Sequence, residues 1–218
     1  MVTWGIPQPP QFLEFEEVRA IIDWVNQNSN HVKRDTLLLE TLWESGARIS
    51  EILGLVPEGI GTKSLIIRNL KQRKKTAKAE KNGAPLPHKE VIVSPELCSK
   101  LREFAKDIPE GTPVFRGNWS QKKQLNYRYV HRLVTKAADE LNIVKAKKRK
   151  NESYGFVPAW PHLFRHASAM RILDETGDLK LVQRQLGHAS IITTEMYATV
   201  RPEKAGKDLS EVRWKEND

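Results

Sequence analysis

The chain has 218 residues, 39% of them hydrophobic, enough to build one sizeable globular core. Lys and Arg number 36 against 27 Asp and Glu, a formal net charge of +9, and there is a single cysteine, Cys98. No run approaches the roughly 18 apolar residues of a membrane span, Met1 to Pro10 lacks the order of a signal peptide, and one cysteine excludes an internal disulfide or a zinc finger. A soluble, cytoplasmic protein with Cys98 in its core is expected.

From Glu14, apolar residues at Val18, Ile21, Ile22 and Val25 predict an amphipathic helix. Thr36 to Trp43 reads as a buried helix stopped by Gly46, and Arg48-Ile49-Ser50-Glu51-Ile52-Leu53 opens a short further helical piece. Ser64-Leu65-Ile66-Ile67 and Glu90-Val91-Ile92-Val93 are short β-branched runs around a lysine-loaded connection, the pattern of a β-hairpin with a basic tip. Helices resume at Pro95. Val130, Leu133, Val134, Ala137 and Leu141 mark a long one whose other face carries Arg128, Arg132 and Lys136. Residues 145–160 read as a basic, irregular and mobile link. A helix is expected from Pro161 to Arg171, broken at Gly177-Asp178, then a short helix 179–186 ending at Gly187 and another, capped by Ser190, that carries Tyr197. Trp24, Trp43 and Trp160 sit at or beside apolar helical positions and are assigned to the core. There is no internal repeat and no low-complexity linker.

Charge is segregated along this chain. Residues 63–81 hold eight Lys or Arg and one acid, and residues 116–150 hold eleven against two, so these segments carry +16 and the remainder −7. Such segregation suits a protein that tracks a polyanion, and nucleic acid heads the candidate partners. Mobile, solvated loops are the bland alternative for either segment alone.

Three local patterns carry chemistry: Gly46-Ala47-Arg48-Ile49-Ser50-Glu51 early, His162-Leu163-Phe164-Arg165-His166 late, and Leu186-Gly187-His188 with Tyr197 nine positions beyond His188. A tyrosine oxygen can hold a phosphodiester's energy in a covalent bond, and paired guanidinium forks match the charge that develops on an attacked phosphate. Tyr197 is thus the candidate nucleophile, and Arg48 and Arg165 the candidate pair. His162 precedes Arg165 by three, so one helix face presents both. The bland readings are a half-buried core tyrosine and an arginine that merely caps a helix junction. His162 and His166 have the i, i+4 spacing of a metal pair, but they lack the Glu of a His-Glu-x-x-His zinc site and a compelling third ligand. No metal and no cofactor is expected.

In the order Arg, hairpin Lys, His-x-x-Arg, Gly-His and Tyr, these residues resemble the active-site set of the tyrosine recombinases, the phage-integrase family. The resemblance runs from Glu14 to Tyr197. It implies a mainly α fold with a small antiparallel β-hairpin (α+β), the tyrosine-recombinase catalytic-domain fold. One catalytic domain would fill residues 1–218, with a core at about 12–200 and a tail helix at 201–218. The family's N-terminal core-DNA-binding domain is expected to be absent. The implied activity is site-specific cleavage and rejoining of double-stranded DNA through a 3′-phosphotyrosyl intermediate, in a nucleoid-associated protein.

By position, His162 resembles the histidine that assists proton transfer at the nucleophile, and His188 the one that hydrogen-bonds a phosphate oxygen. Lys71 stands where the family's leaving-group lysine stands, with Lys74 or Lys75 as alternatives. Arg73, Lys74, Lys75, Lys78, Lys122, Lys123, Arg128 and Arg132 are the expected DNA contacts. In the tail, Ala205, Leu209 and Val212 form an apolar stripe. It either folds back on its own domain or, as the family implies, docks on a neighbour. The expectation is a monomer in free solution and a tetramer on paired DNA sites. A type IB topoisomerase-like enzyme and a catalytically idle DNA-binding module are the rival readings.

Overall fold

A computed structural model describes residues 11–69, 87–117, 120–148 and 154–187. Helix α1 spans Phe15–Asn28, α2 Val32–Ser45 and α3 Ile49–Leu53; strand β1 is Ser64–Arg68 and β2 His88–Ile92. Then follow α4 (Pro95–Ala105), β3 (Arg116–Gly117), β4 (Ser120–Gln124), α5 (Tyr127–Glu140), β5 (Val144–Lys148), β6 (Tyr154–Pro158), α6 (His162–Thr176) and α7 (Leu179–Leu186). Among the described residues the architecture is mainly helical with three two-stranded antiparallel sheets, β1–β2, β3–β4 and β5–β6.

Helix α2 is the central pillar, packed against α1, α4 and α6. Its Leu38, Leu39 and Leu42 share one hydrophobic cluster with Ile21 and Val25 of α1, Leu97 and Leu101 of α4, and Leu163 and Phe164 of α6, and Val130 and Val134 of α5 join it on the side of α1 and α3. Each fully buried leucine of this kind stabilises the fold by roughly 1.5–3 kcal/mol. Cys98 is in this cluster, and Trp24, Trp43 and Trp160 pack on it half-buried. A second cluster joins Ala169, Met170 and Leu173 of α6 to Val182 and Leu186 of α7. Asp35 at the start of α2 is wholly buried, and it accepts from Ser29 (2.5 Å), Tyr129 (2.5 Å) and Arg34 (2.8 Å). These donors compensate its charge and tie the α1–α2 turn to α5.

The described parts of residues 145–160 are not the irregular link that their composition suggests. Val144–Lys148 and Tyr154–Pro158 pair as β5–β6, with Lys145 opposite Val157 and Ala146 opposite Phe156. Two tertiary contacts fix the pairing: the Lys145 ammonium lies 2.7 Å from Glu17 of α1, and the Ala159 N–H donates to the Ile143 carbonyl. The β3–β4 hairpin is likewise beyond what the sequence predicted. Helix α6 continues past Arg171 to Thr176 before Gly177 ends it in a left-handed conformation.

Gly46 is required where it stands. Its φ of +59° closes α2, and a Cβ there would lie 2.7 Å from Leu186 Cδ2 and 2.9 Å from Ser168 Oγ. The absence of a side chain lets α6 and α7 approach the α2–α3 junction.

Candidate active site

The α2–α3 junction and the start of α6 enclose a cleft of about 150 Å³, lined by Ala47, Arg48, Ile49, Ser50, Tyr127, Pro161, His162 and Arg165. At roughly 30 Å³ per water molecule, a phosphodiester group fits. A larger groove of about 620 Å³ lies between α2 and α4, but its charged residues include the exposed pair Lys100–Glu40 rather than a convergent set. The smaller cleft is the candidate because of its chemistry.

Arg165 is 3% exposed, and two carbonyls aim its guanidinium: Nη1 donates to Gly46 O (2.6 Å) and Nη2 to Leu186 O (2.8 Å). It thereby ties α6 to both the α2 terminus and the α7 terminus. Arg48 precedes α3 and points into the same cleft, with its side chain 31% exposed. Its backbone N–H donates to Glu51 Oε2 (3.0 Å) and its Nη1 to Glu51 Oε1 (3.2 Å). The bland expectation that Arg48 serves a helix junction is therefore met together with its placement in the cleft. His162 opens α6, and its ring meets that of His166 edge to face at 4.7 Å. Partial desolvation in the crowded cleft, then the positive charges of Arg165 and Arg48, hold the His162 pKa below the ordinary histidine range. The imidazole is therefore neutral at physiological pH and able to accept a proton.

Two residues that the sequence did not single out as functional complete this arrangement. Glu51 is fully buried. Lys89 reaches it from β2, with Nζ 2.9 Å from Glu51 Oε2 and 3.3 Å from Leu186 O. Burial alone would raise the Glu51 pKa, but Lys89 and the Arg48 N–H more than offset it and keep the carboxylate ionised. Desolvation lowers the Lys89 pKa, as do Arg165 and Arg48, while Glu51 opposes the fall. A signal existed in the sequence: Lys89 has the same strand parity as Val91 and Val93, both buried. A lysine at an inward position needs a buried partner. Gln185 of α7 is also buried, and its side-chain amide pairs with both backbone groups of Ile92 (3.0 and 2.7 Å), clamping α7 onto β2.

Of the sequence-predicted site, Arg48, His162 and Arg165 converge. Lys71, His188 and Tyr197 lie outside the described residues, as do Arg73, Lys74, Lys75 and Lys78. Gly187, immediately before His188, sits against Lys89: a Cβ on it would lie 3.2 Å from Lys89 Cδ. Arg128 and Arg132 are exposed along α5, and Lys123 is exposed on β4. Lys122 lies in β4, with its side chain outside the described set. Among the described residues, no three His, Cys, Asp or Glu cluster to hold a metal ion, and no helix is long and apolar enough to cross a membrane.

Comparison with known proteins gives one consistent result. The profile described as Phage integrase family matches residues 11–204. Tyrosine recombinase XerC of Thermodesulfovibrio yellowstonii is 30% identical over 192 residues, covering 88% of this chain and 58% of that protein. Tyrosine recombinase XerC of Pseudomonas aeruginosa strain LESB58 is 29% identical, covering 86% and 54%. The chain thus spans little more than half the length of these curated relatives. Among solved structures, XerA recombinase is similar with a TM-score of 0.63 at 20% identity, over 88% of this chain and 61% of that one. XerH bound to its difH substrate in a pre-cleavage complex gives 0.65 at 20% identity, over 92% and 53%. A lambda integrase dimer bound to a core site gives 0.60 at 15% identity, over 96% and 51%. These three share the fold.

Proposed function

This chain belongs to the phage integrase family, and on that premise we propose that it is a site-specific DNA recombinase that cleaves and rejoins strands through a 3′-phosphotyrosyl intermediate on Tyr197. The observation that carries the reading is the convergence of two guanidiniums, Arg48 and Arg165, and a neutral His162 on one phosphate-sized cleft. The tyrosine oxygen attacks phosphorus and gives up its proton, which the neutral imidazole of His162 is suited to accept. Negative charge on the non-bridging oxygens is met by the guanidinium forks, with His188 as a further donor. The P–O5′ bond breaks, and the departing 5′-oxygen takes a proton from a hairpin lysine, Lys71, to become the 5′-hydroxyl. Attack by another 5′-hydroxyl reverses these steps and joins new strands, so the bond energy is kept throughout.

The test is a nicked DNA whose site is selected from a random-sequence library by wild-type adduct formation. A denaturation-resistant adduct is expected, in EDTA as well as without it, because the arginine pair supplies the charge stabilisation. Absence of any adduct across the library would overturn the reading, and Holliday junctions rather than simple supercoil relaxation are the expected product on paired sites.

The family relation leaves the leaving-group acid to be assigned among the hairpin lysines. Lys71→Ala is expected to slow cleavage by about 10² to 10⁴, the usual cost of losing a general acid. A bridging 5′-phosphorothiolate, whose thiolate leaves without a proton, should restore the rate. Rescue confined to a Lys74 or Lys75 variant would move the role there.

The DNA-bound XerH and lambda integrase relatives support double-stranded DNA as partner. Arg73, Lys74, Lys75, Lys78, Lys122, Lys123, Arg128 and Arg132 would supply phosphate contacts. In this reading the chain is monomeric in solution and tetrameric on two DNA sites, joined through Leu209 and Val212 of the tail. Leu209→Asp with Val212→Asp should abolish the paired-site complex in sedimentation with the thermal midpoint unchanged. A large fall in midpoint with intact pairing would assign the tail to its own core.

A further inference from the structure

Lys89 is not needed to balance the charge of a solvent-facing acid, nor does it lie with the exposed lysines. It is a buried ammonium, its side chain 10% exposed, in the space between β2, α3 and the end of α7. Each of its two partners is shared with a phosphate-site arginine. Glu51 holds Lys89 on Oε2 at 2.9 Å and Arg48 on Oε1 at 3.2 Å. The Leu186 carbonyl takes Lys89 at 3.3 Å and Arg165 at 2.8 Å. One side chain on the hairpin therefore links both guanidiniums through two acceptors, and its stem packs at Gly187, the residue before His188.

We propose that Lys89 is a positioning residue of the phosphate site: by bridging Glu51 and the Leu186 carbonyl it fixes Arg48, Arg165 and the hairpin strand in one frame. The role rests on the recombinase reading for its chemistry, though not for its geometry. The physical reason is the cost of an unpaired buried charge. Glu51 is wholly enclosed, and among the described residues Lys89 and Arg48 are the charged groups acting on it. Those acting on Lys89 among the described residues are Glu51, Arg165 of α6 and Arg48. Take Lys89 away and the carboxylate keeps only Arg48, so Arg48 is drawn toward Glu51 and away from a phosphate. Alternatively, Glu51 takes up a proton, and the neutral carboxyl holds Arg48 without the charge that strengthens the bond. Either course loosens the aim of the guanidiniums without removing either one. Removing an orienting partner of this kind typically costs 10- to 100-fold in activity.

Lys89→Met retains the stem and deletes the charge, and Lys89→Arg retains the charge. On the library-selected nicked DNA, Lys89→Met is expected to lower the single-turnover cleavage rate roughly 10- to 100-fold while DNA affinity stays within about twofold. The acid limb of its pH–rate profile should move upward, because Glu51 loses the cation that keeps it ionised. Lys89→Arg should recover part of the rate and return the limb. A ¹³C carboxyl titration of Glu51 needs no DNA. It should show ionisation persisting below the usual glutamate range in the wild type, and protonation at a higher pH in Lys89→Met.

Three outcomes would overturn the inference. A fall in rate matched by an equal fall in affinity would make Lys89 a DNA contact. Rescue of Lys89→Met by a 5′-phosphorothiolate would make it the proton donor. An unchanged rate and an unchanged Glu51 titration would leave it an ordinary packing residue. If the wild-type chain itself gives no adduct, the recombinase reading fails, and the carboxyl titration alone then judges whether Lys89 governs Glu51.

Discussion

Tyr197→Phe is expected to abolish the covalent protein–DNA adduct completely while folding and DNA binding persist. The substitution removes one oxygen and leaves the ring. No other residue of the reading supplies a nucleophile, since the histidine of the cleft acts as a base and the arginines as electrophilic partners. Binding should hold within about twofold, since a single oxygen is removed and every charged DNA contact is kept. The measurement is a denaturing gel on the nicked, library-selected DNA, with a gel shift for affinity. The lowered pKa of His162 adds a pH component: an imidazole that stays neutral below its ordinary range should let wild-type cleavage persist into mildly acidic buffer. An adduct of undiminished yield from the Phe variant would remove Tyr197 from the mechanism.

The second large effect is expected at Arg165, where chemistry and folding meet. Its guanidinium spans two buried carbonyls 21 residues and 119 residues away along the chain, Leu186 O and Gly46 O, while facing the cleft. A lysine keeps the charge but has a compact ammonium that cannot cover both carbonyls and a phosphate oxygen with the same geometry. Arg165→Lys should therefore lose about 10² to 10³ in cleavage, the cost of one charge-stabilising donor. It should also lose about 2–5 kcal/mol of stability, from charged hydrogen bonds worth roughly 1.5–3 kcal/mol each. Arg48 lies closer to solvent, and among the described residues its guanidinium bonds to Glu51 of the adjoining α3, so Arg48→Lys should show the rate loss with a much smaller stability loss. Single-turnover rates and denaturant midpoints for both variants check this. An Arg165→Lys variant that cleaves within about threefold of wild type would show that the fork geometry is not used.

The differing weight of these two arginines illustrates what each level of organisation contributes. Local sequence was enough for His162 and Arg165, because residues three apart on a helix lie on one face whatever surrounds them, and enough for Gly46, whose helix-ending role follows from its backbone freedom. It was enough as well for α7, bounded by Asp178 as a capping acceptor and Gly187 as a left-handed stop. The ordered set of site residues, read together, fixed the family before any contact was known.

Tertiary structure alone decided the rest. Whether Val144–Lys148 and Tyr154–Pro158 form strands depended on Glu17 neutralising Lys145 and on Ile143 meeting Ala159, since lysine-rich segments have weak β preference of their own. Lys89 had the inward strand parity, but parity says only that a side chain is buried and not what meets it. That Glu51 and the Leu186 carbonyl wait for it, 38 and 97 residues away, follows from α2, α6 and α7 packing around Gly46. Periodicity is written in short range, whereas the pairing of buried charges is settled by long-range packing, which brings together groups whose separation in the chain carries no trace of their contact.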